Sequence, residues 1–143
     1  MAEGLALDEQ LCFALYSASR AMTAAYAPLL DALELTYPQY LVMLVLWDGD
    51  GARVSQIGDR LHLDSATLTP LLKRLEARGL IERRRSSDDE RVVEVFLTTE
   101  GKRLRRRAVD IPREMWCKTK LSLGELAKLR AQLHELAREL REA

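Results

Sequence analysis

The chain has 143 residues, enough for a hydrophobic core without disulfide staples, and its balance of 48% hydrophobic and 31% charged residues is ordinary for a globular protein. Its 22 basic and 22 acidic side chains cancel, which argues against coating nucleic acid through bulk charge but leaves local patches free to act. No apolar run is long enough to span a bilayer, and the N-terminus lacks a secretory signal, so a cytoplasmic protein with no membrane partner is expected.

Residues 8–33 read as one long helix, with Asp8 as its N-cap and Leu11, Leu15, Ala18, Met22, Ala25 and Leu29 recurring at steps of three and four. It is almost uncharged from Leu11 to Ser19, and a helix apolar over so much of its surface must be covered on more than one side. A short helix follows over about 38–47, crowded with apolar residues all round, and Asp48-Gly-Asp-Gly51 ends it.

The stretch from Val54 to Thr98 has the outline of a winged helix-turn-helix. A helix beginning at Ser55 turns inward Ile57 and Leu61, and Gly58 lets the next helix approach closely. Asp64 or Ser65 caps that next helix, whose Leu68, Leu71, Leu72 and Leu75 form a core stripe before Gly79 ends it as a left-handed cap. Its other face carries Ser65, Ala66, Thr67, Thr69, Pro70, Lys73 and Arg74, small and hydroxylated residues first and cations later. That order suits a helix whose N-terminus enters a major groove.

A two-stranded hairpin comes next, with Val93, Val95 and Leu97 alternating against Val92, Glu94 and Phe96. Its tip, Ser86 to Arg91, is too polar to pack. Arg91 can enter a minor groove with Asp89 steadying its guanidinium, and Arg84, on the strand before the tip, is a further candidate DNA contact.

Thr98 or Thr99 caps a helix running to about Lys120, interrupted near Pro112. Its basic cluster, Lys102, Arg103, Arg105, Arg106 and Arg107, reads equally well as a solvated face or as phosphate contacts. The last helix, from about Leu123, spaces Leu126, Leu129, Leu133, Leu136 and Leu140 as a coiled-coil seam. A terminal seam and an under-covered first helix together predict a homodimer. Its two-fold axis would set two reading helices about one DNA turn apart on a palindromic, double-stranded operator.

The expected architecture is thus one mainly α domain over residues 1–143, with a small β-hairpin. Residues 36–98 form the DNA-binding part, and 5–35 with 99–143 supply the dimerisation helices. Neither Cys12 and Cys117 nor His62 and His134 show metal-ligand spacing, so no metal or cofactor is expected.

The chain resembles the MarR family of dimeric winged-helix transcription regulators over nearly its whole length. The wing signature appears as Asp89-Glu-Arg91 and Leu97-Thr98, with Glu100-Gly101 behind. Within the family it is most similar to the organic hydroperoxide resistance regulators, on the segments Leu7 to Tyr16, Leu35 to Tyr40 and Leu63 to Leu75. That subgroup more often has glycine where Ala66 stands.

The resemblance implies a DNA-binding repressor, not an enzyme, with an organic hydroperoxide as inducer. It makes Cys12 the peroxide-reactive thiol and Tyr26 and Tyr37 the phenols that hydrogen-bond it. Cys117 takes the place of the resolving thiol from the other subunit. Cys12 falls in the first turn of the first helix, where the dipole favours the thiolate that attacks peroxide, against the opposing charges of Asp8 and Glu9. Tyr26 lies fourteen residues further along the helix, or about 21 Å along its axis. The phenols that reach Cys12 would therefore come from the partner. Phe13, Leu15, Tyr16 and Trp116 suit an organic peroxide better than hydrogen peroxide. The competing readings are a MarR-type repressor released by a small aromatic or phenolic ligand, with structural cysteines, and a thiol peroxidase, which would leave the winged helix unexplained.

Overall fold

The computed structural model describes residues 4–143. Its helices are α1 (Leu11–Asp31), α2 (Tyr37–Asp48), α3 (Val54–Leu61), α4 (Ser65–Ala77), α5 (Thr99–Ala108), α6 (Ile111–Thr119) and α7 (Leu123–Glu142). The strands are β1 (Ala52–Arg53), β2 (Ile81–Arg85) and β3 (Val93–Leu97). The architecture is mainly helical with one small antiparallel sheet, as expected, and forms two compact units divided between Val109 and Asp110.

In the first unit α2 is the central element. Tyr40, Val42, Met43, Val45 and Leu46 are all buried, which explains why its apolar residues show no preferred face. The four leucines of α4 (Leu68, Leu71, Leu72, Leu75) are buried as one stripe, together with Ile57 of α3, Ile81 of β2 and Val95 of β3. Asp64 caps α4 by accepting the Thr67 N–H at 2.8 Å. Between α3 and α4 the backbone turns at His62, which takes a left-handed conformation. A Cβ on Gly58 would lie 2.8 Å from the Leu63 carbonyl oxygen. The glycine thus admits the backbone of the turn, with the Leu68 side chain of α4 in contact with the same Cβ position at 3.6 Å.

Two boundaries differ from the sequence expectation. Asp8 does not cap α1: Leu7–Glu9 form a short 3-10 turn, and Gln10 holds the capping position without a side-chain bond to the helix. Gln10 instead sends its amide back to the Ala6 carbonyl at 3.1 Å. The sheet has three strands, in the order β1–β3–β2, with Ala52 opposite Val95 and Arg83 opposite Val95 on the other side. Two residues are too few to show an alternating pattern, so β1 carries no periodic signal.

The base of the wing is tied to α5. Thr98 caps α5 by accepting the Gly101 N–H at 3.1 Å, and the Trp47 indole of α2 donates to the Gly101 carbonyl at 2.9 Å.

The second unit consists of α6 and α7, with Pro112 in the first turn of α6. The indole of Trp116 donates to the Leu121 carbonyl at 2.7 Å, and Ser122 and Glu125 cap α7 reciprocally. No residue of α7 is buried, and Leu129, Leu133 and Leu140 are exposed.

Candidate DNA interface and sensing residues

On α4 the residues opposite the leucine stripe are open to solvent: Ser65, Ala66, Thr67, Pro70, Lys73 and Arg74 are exposed, and Thr69 is half-buried. The helix is held from behind. Glu76 accepts from the Arg83 backbone N–H at 3.1 Å and from its guanidinium at 3.0 Å, which locks the first wing strand to α4. These bonds from Arg83 hold the Glu76 carboxyl below its usual range.

At the wing tip, Arg91 is 91% exposed yet ordered by Asp89. The carboxylate accepts from Nε and Nη2, one edge of the guanidinium, each at 3.2 Å, and from the Arg91 backbone N–H at 3.0 Å. The side-chain bond from Arg91, then its backbone bond, hold Asp89 below the usual carboxylate range. Arg53 adds positive charge to the same carboxylate. Sequence reading missed this residue, because its place beside the wing depends on the two-residue strand β1.

The strand register sorts the remaining arginines. Arg83 and Arg85 pair with Val95 and Val93, while Arg84 pairs with Glu94 on the alternate face. There Arg84 lies over the Phe96 ring at 4.5 Å and bonds Glu82. A cleft of about 310 Å³ between α4 and the wing is lined by Arg53, Ser55, Thr69, Arg83, Arg91 and Val93. In the basic cluster of α5, Arg103 pairs with Glu100, and Arg107 donates to the Ala32 carbonyl after α1 at 2.7 Å.

Cys12 is the second residue of α1 and is exposed. Tyr26, on the same uninterrupted helix, is half-buried against Tyr37, with ring centroids 5.3 Å apart. The structure therefore brings the two tyrosines together, and the length of α1 separates them from the Cys12 of their own chain. Tyr37 is the first residue of α2, where Thr36 accepts the Gln39 N–H at 3.3 Å and the Gln39 side chain accepts the Thr36 N–H at 3.0 Å. That reciprocal cap fixes the angle at which Tyr37 leaves the backbone.

A third ring completes the cluster. Tyr40 is buried, 5.6 Å from Tyr26 and 6.5 Å from Tyr37. Burial raises the Tyr26 and Tyr37 phenols, and burial followed by the two neighbouring phenols pushes Tyr40 up to about 12. All three stay protonated at neutral pH. Cys117 is exposed on α6, in the second unit. Among the described residues, no group of three or more His, Cys, Asp or Glu side chains is placed to hold a metal ion, and no helix is long and apolar enough to cross a membrane.

A helix-turn-helix with an open, hydroxyl- and cation-bearing second helix, followed by an arginine-tipped wing, defines a DNA-binding transcriptional regulator. Relatives bear this out. The family description "Transcriptional regulator SarA/Rot" matches residues 24–107. An organic hydroperoxide resistance transcriptional regulator of Bacillus subtilis (strain 168) is 49% identical over 134 residues, covering 94% of this chain and 91% of that protein. Among solved structures, reduced AbfR bound to DNA, a protein of Staphylococcus epidermidis, superposes with a TM-score of 0.81 at 33% identity. That match covers 95% of this chain and 93% of AbfR. PcaV of Streptomyces coelicolor, in complex with its natural ligand, superposes with a TM-score of 0.81 at 27% identity over 96% of this chain and 98% of PcaV. The chain belongs to the MarR family of winged helix-turn-helix transcriptional regulators.

Proposed function

We propose that this regulator is a homodimeric repressor that releases a palindromic operator when organic hydroperoxides oxidise Cys12. The observation that carries the reading is the placement of the sensing groups. Cys12 stands exposed at the start of α1, and Tyr26 and Tyr37 meet at its far end. In an antiparallel crossing of two α1 helices, each Cys12 meets the phenols of the other chain. Exposed Leu11, Tyr16 and Met22 on α1, and Leu129, Leu133 and Leu140 on α7, supply the apolar surface for such a dimer. Residues 5–35 and 99–143 then serve dimerisation, and residues 36–98 read DNA.

On the operator, Ser65, Ala66, Thr67, Thr69 and Pro70 meet base edges and backbone at the start of α4. Lys73 and Arg74 follow onto phosphates. Arg91, braced by Asp89, enters the minor groove, and Arg84 contributes from the other face of the wing. In the sensing step, the Cys12 thiolate attacks a peroxide oxygen, the O–O bond breaks, and the alcohol departs to leave a sulfenic acid. The Cys117 thiol of the partner then displaces the sulfenic hydroxyl as water, forming an intersubunit disulfide. Cα atoms must lie within about 7 Å for that bond, so its formation fixes the chain ends and moves the reading heads. The reading draws on the likeness to an organic hydroperoxide resistance regulator and on AbfR, which has been solved on DNA both reduced and overoxidized.

The test is operator binding before and after cumene hydroperoxide, with dithiothreitol to reverse it, beside non-reducing electrophoresis. Release should be lost in Cys12→Ser, and a dimer-sized band should be missing from both Cys12→Ser and Cys117→Ser. Wild-type protein that keeps its operator after oxidation overturns the proposal.

The second reading is a repressor released by a small aromatic or phenolic ligand. The cleft between α4 and the wing, with Arg53, Arg83 and Arg91 around it, and the likeness to ligand-bound PcaV favour it. Under that reading Cys12→Ser keeps its response to inducer.

A further inference from the structure

We infer that Tyr40 is a positioning residue for the sensing thiol: its buried ring holds Tyr26 and Tyr37 at the spacing from which both phenols can donate to one sulfur. The inference rests on the proposal that those two phenols hydrogen-bond Cys12 of the partner.

Tyr26 and Tyr37 are each only half-buried. They sit on different helices, α1 and α2, separated by the turn at residues 32–36. Two half-exposed aromatic rings on separate elements have room to turn about their side-chain bonds, and a contact between just two of them does not fix both. Tyr40 removes that freedom. It is one helical turn beyond Tyr37 and faces inward, only 2% exposed. It touches Tyr26 at 5.6 Å with planes tilted by 44°, and Tyr37 at 6.5 Å with planes tilted by 46°. With the 5.3 Å contact between Tyr26 and Tyr37, the three rings close a triangle. Aromatic rings prefer such tilted contacts to face-on stacking, so each edge of the triangle favours one mutual orientation.

The ring of Tyr40 is itself anchored. Trp47 meets it edge-on at 6.5 Å, and the Trp47 indole donates to the Gly101 carbonyl in the first turn of α5. Gly101 is packed against the Leu80 carbonyl, where the wing begins. A continuous aromatic column therefore runs from the sensing phenols, through Tyr40 and Trp47, to the base of the winged motif. The phenols are set against the rigid core of the reading head, not against the more exposed length of α1.

The test compares Tyr40→Phe, Tyr40→Leu and the Tyr26→Phe/Tyr37→Phe double variant in the full-length reduced protein. Each is first checked for native circular dichroism and operator binding. The readout is the pH profile of Cys12 alkylation by iodoacetamide in a Cys117→Ser background. Tyr40→Phe keeps the ring and should match the parent. Tyr40→Leu should move the profile to higher pH and slow alkylation at pH 7 by roughly three- to tenfold, the factor that a weakened hydrogen bond to a charged group represents. If Tyr40→Leu does not fold, Trp47→Phe, which removes the indole bond behind Tyr40, should move the profile in the same direction by less. An unshifted profile in a folded Tyr40→Leu or Trp47→Phe variant, or a Tyr40→Phe variant as impaired as Tyr40→Leu, overturns the inference. If the Tyr26/Tyr37 double variant also leaves the profile unmoved, the phenol–thiol reading itself fails. A shift there without one at Tyr40 removes only the positioning role.

Discussion

Arg91 illustrates how a single exposed side chain is made useful. A free arginine at a wing tip samples many rotamers, and ordering it on binding DNA has an entropic cost. Here Asp89 has already ordered it through two side-chain bonds and one backbone bond. Arg91→Ala should weaken operator binding by roughly five- to hundredfold and lower the salt slope by about one. Asp89→Asn should weaken it less, since the cation remains but its brace is reduced. The Asp89 carboxyl is held below its ordinary value of 3.8 in the folded protein. Its brace is therefore fully present above that value and lost only as pH falls through the lowered one. Fluorescence anisotropy with labelled operator should show no loss from this group between pH 8 and pH 5. A titration in that window that disappears in Asp89→Asn would contradict the assignment.

Among the secondary elements, the junction of wing and α5 is where a glycine lets two backbones approach most closely among the described glycines. A Cβ at Gly101 would lie 2.2 Å from the Leu80 carbonyl oxygen and 3.2 Å from the Leu97 side chain. Gly101 is helical, so propensity alone would favour alanine there by about 1 kcal/mol. The clash reverses the sign: Gly101→Ala should lose roughly 1–3 kcal/mol in urea unfolding, because the neighbouring atom is backbone and cannot turn aside. An equally stable alanine variant would refute this. The same junction shows what sequence reading could and could not deliver. The leucine stripe of α4, the Asp64 cap and the alternation that buries Val95 of β3 are legible because each is a local pattern. The Glu76–Arg83 lock and the choice of Arg84 for the Phe96 face were not, since they follow from strand register and from contacts between elements. Tyr26 and Tyr37 were reached through resemblance. Tyr40 reads in the sequence as one more apolar residue in a crowded helix, and its three ring contacts arise only from the packing of the folded chain.

For the whole molecule, the unanswered demand is cover. The long helix α1 buries only Leu30 within this chain, and α7 buries nothing. Leaving so much leucine, methionine and tyrosine in water is unfavourable by roughly 25 cal/mol per Å². A second copy would relieve this and, under the proposed function, build the sensing site from both chains. The arrangement can be tested by complementation. Mix a Cys12→Ser chain with a Tyr26→Phe/Tyr37→Phe chain, and isolate the heterodimer through two different affinity tags. If the thiol and its phenols come from opposite chains, the Cys12 of the second chain faces the intact tyrosines of the first, and one complete site remains. If they come from the same chain, neither site is complete. The heterodimer should therefore oxidise its single Cys12 with organic hydroperoxide at the wild-type rate per site, while the double-tyrosine homodimer reacts slowly. A heterodimer as slow as that homodimer would place the phenols in cis. Such a result would require α1 to break between Cys12 and Tyr26, because an intact helix keeps them about 21 Å apart.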